Sequence, residues 1–437
     1  MNPRAKNFSC AKSLVASLAL TATTFLAQAQ QADTKALFDQ VSNRLDLGGQ
    51  VFGFVNVQGD YASLAAKAKE LYGQAIKMAD DEIPLPEDLD IEAILKELGF
   101  SNVSALGMSS IKVGDGFRNK AFLGINGEPQ GLLKMASGKN KPFSIITEAP
   151  EDASFAFEGS LRLDYLRDVI NKIAAHLAPA IGGDPVSEGL KMPVPMTQLT
   201  INELIEKLSG DVSGYATMSK IQKLEIPGAP NGFEIPAIDF VAMHESGRWL
   251  FTLAEELLSA LAPDMVAVSE GDDGSKRLVV TLPPGKTGFY KPVLQVAKEG
   301  DRLVIASREL ALQNMGKTKK HLADNTTFKA ITKDMPKEGS GLIYMSEDSY
   351  KAFIDIYVSI LSMEGGPEEV INMQKNLMEA AYGKPQAVAS VFVNHPDGIY
   401  LETMQPQSYK QTIAVMAVVP AAIGAAVMTP MMMRARF

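Results

Sequence analysis

The chain has 437 residues, 46% of them hydrophobic, one cysteine and a formal net charge of −9. That length supplies real interiors for two domains, so the fold needs no disulfide to hold it, and Cys10 alone cannot form one. An acidic chain without a basic stripe argues against nucleic acid as a partner and against adhesion to anionic lipid.

The first segment carries Arg4, Lys6 and Lys12 without an acid, then an apolar or small stretch from Ser13 to Leu26. Ala27-Gln28-Ala29 fits the small-x-small cleavage rule, so residues 1–29 read as a secretory signal peptide cut before Gln30. No lipobox precedes Cys10, and the mature chain then has no thiol. The last segment, 413–433, runs about twenty residues without a charge, enough at ~1.5 Å per residue to cross ~30 Å of hydrocarbon. Arg434 and Arg436 follow it, as the positive-inside tendency predicts for a short cytoplasmic tail. Pro420 and Pro430 each remove a backbone donor, which a spanning helix tolerates with local compensation. The competing reading is a C-terminal helix buried on the body or lying at the interface. Without the five basic residues of the two ends, the exported body carries −14, that is, −9 less five positive charges.

Residues 30–226 read as an N-terminal α+β lobe. Asp33 or Thr34 caps a helix running to about Leu47, and 51–57 is a strand. Gly59-Asp60 opens a helix whose Leu64, Ala68, Leu71, Ala75 and Met78 form one stripe. After a loop over 80–88 comes a short helix over 90–98. Strands are expected at 104–108, 120–125 and 131–135, turning at Asn126-Gly127. From Ala153 to Leu163 apolar and polar residues alternate, which predicts a strand with one buried face. Asp164 is expected to cap the next helix, 178–196 to be loop, and Thr200 to Glu203 to form a capping box. Strands at 212–218 and 221–226 close the lobe.

Residues 227–232, Pro-Gly-Ala-Pro-Asn-Gly, read as a linker. Residues 233–405 then form a C-terminal α+β lobe, with strands at 238–243, 265–269, 278–282, 292–297, 302–306, 341–345, 388–394 and 399–404. Helices are expected at 249–261, after Ser307, at 328–334, 347–363 and 367–382. The fold class is α+β: two similar lobes of antiparallel sheet with helices on one face, plus a C-terminal transmembrane or tail helix. The shared order of elements, and Pro150-Glu151-Asp152 echoed by Pro336-Lys337-Glu338, suggest an internal duplication.

Chemistry-bearing patterns are thin. Ser109-Ser110-Ile111-Lys112 and Lys286-Thr287-Gly288 match two short elements of penicillin-recognising serine enzymes. Ser109 lies in strand text, where residues three apart point to opposite faces, and the intervening S-x-N element is missing. His176, His244, His321 and His395 have no partner at zinc-ligand spacing. The acid clusters 80–82, 87–90 and 270–273 lack calcium-loop order and read as solvated turns. Met192, Met196, Met373 and Met378 read as core filling rather than a copper surface. No catalytic, cofactor or metal residue is therefore assigned.

Two stretches, APEDASFAFEGSLRLDYLRDVI from Ala149 and YKPVLQVAKEGDRLVIASRELAL from Tyr290, resemble exported bacterial envelope proteins of uncharacterised families. The resemblance implies export and an α+β fold, and its motifs are structural. The expected function is that of a non-catalytic, membrane-tethered envelope protein with a binding or scaffolding role. Its partners are then the membrane, through 413–433, and a protein or apolar ligand. The alternatives are a carrier of lipid or another apolar ligand and, more remotely, a serine hydrolase built on Ser109 and Lys112.

Overall fold

The computed structural model describes residues 31–78, 89–181, 183–225, 234–281, 290–315, 318–353, 356, 372, 376 and 383–413. The expected signal peptide, linker, 286–288 motif, Met373, Met378 and apolar tail beyond Ile413 lie outside them. Thirteen strands make one antiparallel sheet. They are β1 (Val51–Asn56), β2 (Val103–Val113), β3 (Gly116–Ile125), β4 (Phe155–Leu161), β5 (Gly210–Glu225), β6 (Glu234–His244) and β7 (Val266–Glu270). The rest are β8 (Lys276–Val280), β9 (Val293–Val296), β10 (Leu303–Ala306), β11 (Gly341–Met345), β12 (Val388–His395) and β13 (Gly398–Gln405). The helices are α1 (Gln31–Ser42), α2 (Tyr61–Met78), α3 (Ile91–Glu97), α4 (Ile145–Glu148), α5 (Leu163–Ile181), α6 (Pro185–Leu190), α7 (Ile201–Leu208), α8 (Arg248–Leu261), α9 (Glu309–Asn314) and α10 (Thr326–Ile331).

Strand order across the sheet is β1-β2-β3-β13-β12-β11-β4-β5-β6-β10-β9-β8-β7. The centre is the β11–β4 pair, where Tyr344 stands opposite Ala156. Outward from β4 come β5, β6, β10 and β9, and outward from β11 come β12, β13, β3 and β2. The chain's two halves therefore meet in a single sheet. Residues 227–232 connect β5 and β6, which pair with one another from Val212 opposite His244 to Glu225 opposite Glu234.

Alternation fixes the two faces. The inner face carries the main core: Ala105, Phe122, Tyr215, Val241, Val293, Leu342, Tyr344, Val391 and Tyr400 lie on it, under Val41 and Leu45 of the α1 segment, Ile145 of α4 and Phe328 of α10. Phe328 meets Tyr344 edge-on, centroids 5.2 Å apart. The outer face is closed at one end, where Phe251 of α8 packs on Leu278, Val296 and Leu303.

Local signals set several boundaries. Asp90 caps α3 by accepting from Ala93 N at 3.0 Å. Thr200 and Glu203 make the expected capping box: Oγ1 accepts from Glu203 N at 3.2 Å, and the Glu203 carboxylate accepts from Thr200 N at 2.7 Å. Several expectations need correction. α1 starts at Gln31 and ends at Ser42, so Asp33 and Thr34 lie within it rather than capping it, and it stops short of Leu47. Residues 131–135 are a 3-10 turn, not a strand; Leu132, Leu133 and Met135 do not alternate, and Gly131 takes φ +56° to enter it. Asp164 sits inside the first turn of α5, paired with Arg162 at 2.9 Å, rather than capping it. The stretch 178–196 contains α6, which Asp184 caps through Ser187 N and Pro185 opens.

One position shows how closely α1 lies on the sheet. A Cβ at Gly107 would stand 2.2 Å from Val41 Cγ1 and 2.9 Å from Leu45 Cδ1. Gly107→Val must lift the α1 segment off the inner face, and the expected loss is roughly 1–3 kcal/mol of overpacking strain. A urea midpoint unchanged from the parent chain would contradict this packing.

Candidate functional site

Among the described residues, those singled out for chemistry are not brought together. Ser109 is fully buried on the inner face, and its Oγ accepts from Asp46 N at 3.0 Å. Lys112 is exposed, three residues along the same strand and so on the other side of the sheet. His244 Nε2 lies 3.0 Å from Leu208 O while Nδ1 accepts from Ser246 N at 3.1 Å, a pattern that suits the neutral ring and ties β6 to α7. His321 opens the 3-10 turn ending at Asp324. His395 packs edge-on to Tyr400, and burial together with Arg44 holds its ring below the usual range. His176 is half-buried on α5. Asp273 accepts from Ser275 N in the tight turn at Gly274, as a hairpin tip should. Met192 and Met196 are exposed, not core. Among the described residues no group of three His, Cys, Asp or Glu could hold a metal ion.

Sequence reasoning missed a buried charge cluster on the inner face. Asp46, just after α1, accepts from Arg118 Nε and Nη2 at 2.9 and 3.1 Å and from Lys120 Nζ at 2.9 Å. Register places Lys120 opposite Glu402, which is 3% exposed. Glu402 Oε2 accepts from Tyr400 OH at 2.5 Å, while Oε1 has no hydrogen-bond partner among the described residues. Beside them Arg44 pairs with Asp397 at 2.7 Å and lies 5.1 Å over the Phe122 ring. The cluster joins the α1 segment to strands of both halves, so its geometry is that of a clamp.

Burial pushes the Glu402 carboxyl above its ordinary value, outweighing the Tyr400 hydrogen bond and the Lys120 and Arg118 charges that pull it down. A raised folded value means that the contribution is favourable below the unfolded carboxyl's ~4.3 and is lost as pH rises through the folded one. Glu402→Gln does not titrate. The difference in Tm, parent minus variant, should therefore fall between about pH 4 and pH 8. A difference that rises over that range would show the carboxylate to be stabilised rather than penalised.

Two other features are candidates for binding. A cleft of about 400 Å³ lies between α3, the segment after β3 and α5, walled by Lys96, Glu97, Glu128, Lys134 and Lys172. Lys172 pairs with Glu97 at 2.7 Å, and Lys134 lies 5.6 Å over the Tyr165 ring. Five of its lining side chains are charged, beside Pro129, Gln130 and Gly131. The second is the outer face of the central strands. Phe155 and Phe157 of β4, Met345 of β11, Phe392 of β12 and Leu401 of β13 are only half-buried there. Ile343 and Phe240 are 39% and 40% exposed. This apolar surface runs over strands of both halves.

Among the described residues no helix is long and apolar enough to cross a membrane. Comparisons with protein families, curated proteins and solved structures return no match for this chain.

Proposed function

We propose that the chain is an exported, non-catalytic envelope protein whose body is tethered to the membrane by residues 413–433 and binds through the outer face of its sheet. The half-exposed apolar surface over β4, β11, β12 and β13 carries the reading, because soluble bodies rarely leave such a surface without a partner. Residues 1–29 and the apolar tail support export and tethering. Asp46 is engaged with two cations and Asp239 with Arg308 at 2.5 Å. A carrier of lipid or another apolar ligand is the second reading, favoured by the aromatic side chains Phe155, Phe157 and Phe392 on that surface. The mirrored strand order supports an internal duplication: β2, β3 and β4 are matched by β9, β10 and β11 across the centre of the order.

The test uses the full-length chain and a fluorescent fatty-acid analogue. Saturable binding is expected, with Ile343→Asp or Phe240→Asp weakening it by about tenfold, equivalent to ~1.4 kcal/mol. Unchanged binding in both variants would place the ligand elsewhere. No binding by the parent chain would remove the carrier reading.

A further inference from the structure

The chain leaves the sheet at a place fixed by buried hydrogen bonds. β13 ends at Gln405, and the chain then folds back over the outer side of β2 and β3. Asn119 Nδ2 donates to Gln407 O at 2.7 Å, and Tyr409 N donates to Ser110 Oγ at 2.9 Å. Ser110 and Asn119 are fully buried and bonded to each other at 2.5 Å, so this exit is fixed by the interior. Burial also pushes the Tyr409 phenol up. Residues 409–413 form a helical turn, and the apolar segment begins within it. At ~1.5 Å per residue Tyr409 stands ~6 Å along the helix from Ile413, a span about the thickness of one headgroup layer.

Around that exit the surface chemistry changes. Lys112 ends β2 beyond Ser110, Lys410 follows Tyr409, and Lys384 follows Gly383, which packs against Pro406 and Gln407; all three lysines are exposed. The β2–β3 turn carries one acid, Asp115. Val113 at the turn and Ile413 at the exit are exposed apolar side chains, 38% and 49%.

We infer that this end of the sheet docks on the lipid surface around its own tether. Lys112, Lys384 and Lys410 meet the headgroup phosphates, while Val113 and Ile413 sit at the edge of the acyl chains. The inference rests on reading 413–433 as the anchor. An acidic body as a whole is repelled by an anionic surface, which leaves this lysine-bearing end as the favoured one to point down.

The experiment reconstitutes the full-length chain, with Cys10→Ser, into vesicles of phosphatidylcholine and phosphatidylglycerol containing nitroxide-labelled lipid. An environment-sensitive fluorophore is placed by Val113→Cys at the docking end, by Lys329→Cys on α10, or by Met428→Cys in the tail. Quenching is expected at Met428 and Val113 and not at Lys329. Reversing the lysines together (Lys112→Glu, Lys384→Glu, Lys410→Glu) should cut quenching at Val113 roughly threefold and leave Met428 unchanged. Quenching at Met428 with none at Val113 beyond the Lys329 level overturns the docking and keeps the anchor. Val113 quenching that survives the reversal overturns the role given to the lysines. No quenching at Met428 removes the anchor and the inference with it.

Discussion

Asp46→Ala should cost about 3–5 kcal/mol, because it strands two cations in a largely buried site. Arg118 and Lys120 keep only 21% and 16% side-chain exposure, and both lean on the same carboxylate. Glu402 is a poor substitute partner, since burial already disfavours its charged form. The loss would appear as a lower urea midpoint. The chain with Asp46→Leu, Arg118→Met and Lys120→Met together should recover most of it, because removing a buried ionic set costs far less than breaking one. A single-variant loss below ~1 kcal/mol would mean that water reaches the cluster and screens it.

Tyr344→Ala should be comparably destabilising, at about 3–5 kcal/mol for the loss of a buried aromatic side chain. Tyr344 is 1% exposed, lies on the central β11–β4 pair and closes against Phe328. Its position makes a second outcome diagnostic. Strands of both halves pair with one another in the one sheet, so amide protection in β2–β3 and in β5–β6 should fall together within one unfolding transition. Two separated transitions would show that the halves fold independently despite sharing a sheet.

What could be read in advance follows the range of the physics. The hairpin of β9 and β10 and the final β12–β13 hairpin have apolar alternation and tight turns of their own, so local residues suffice to specify them. The capping residues Asp90 and Thr200 act within three residues of themselves. The sheet order is different, because β3 meets β13 across most of the chain and no local pattern encodes that choice. β2 runs beyond the expected 104–108 for a related reason. Ser109, Ser110 and Lys112 look like the end of a strand, yet the two serines are buried and bonded to Asp46 and Asn119. Glu402 resembles a solvent-facing residue of Leu-Glu-Thr-Met until Lys120 and Tyr400 are placed beside it. The two lobes expected on either side of 227–232 rest on element order, which does not report whether strands are exchanged. On β4 alternation points to Phe155 and Phe157 as the buried side, and the structure reverses it: Ala156 and Glu158 are buried on the inner face while the two phenylalanines are half-buried on the outer one.

The most direct test of the account is phase partition of the purified full-length chain in a detergent that clouds on warming. A body held to the membrane by residues 413–433 should collect in the detergent-rich phase. Recovery of the intact chain from the aqueous phase would contradict tethering, and would mean that the apolar tail is satisfied by the protein itself.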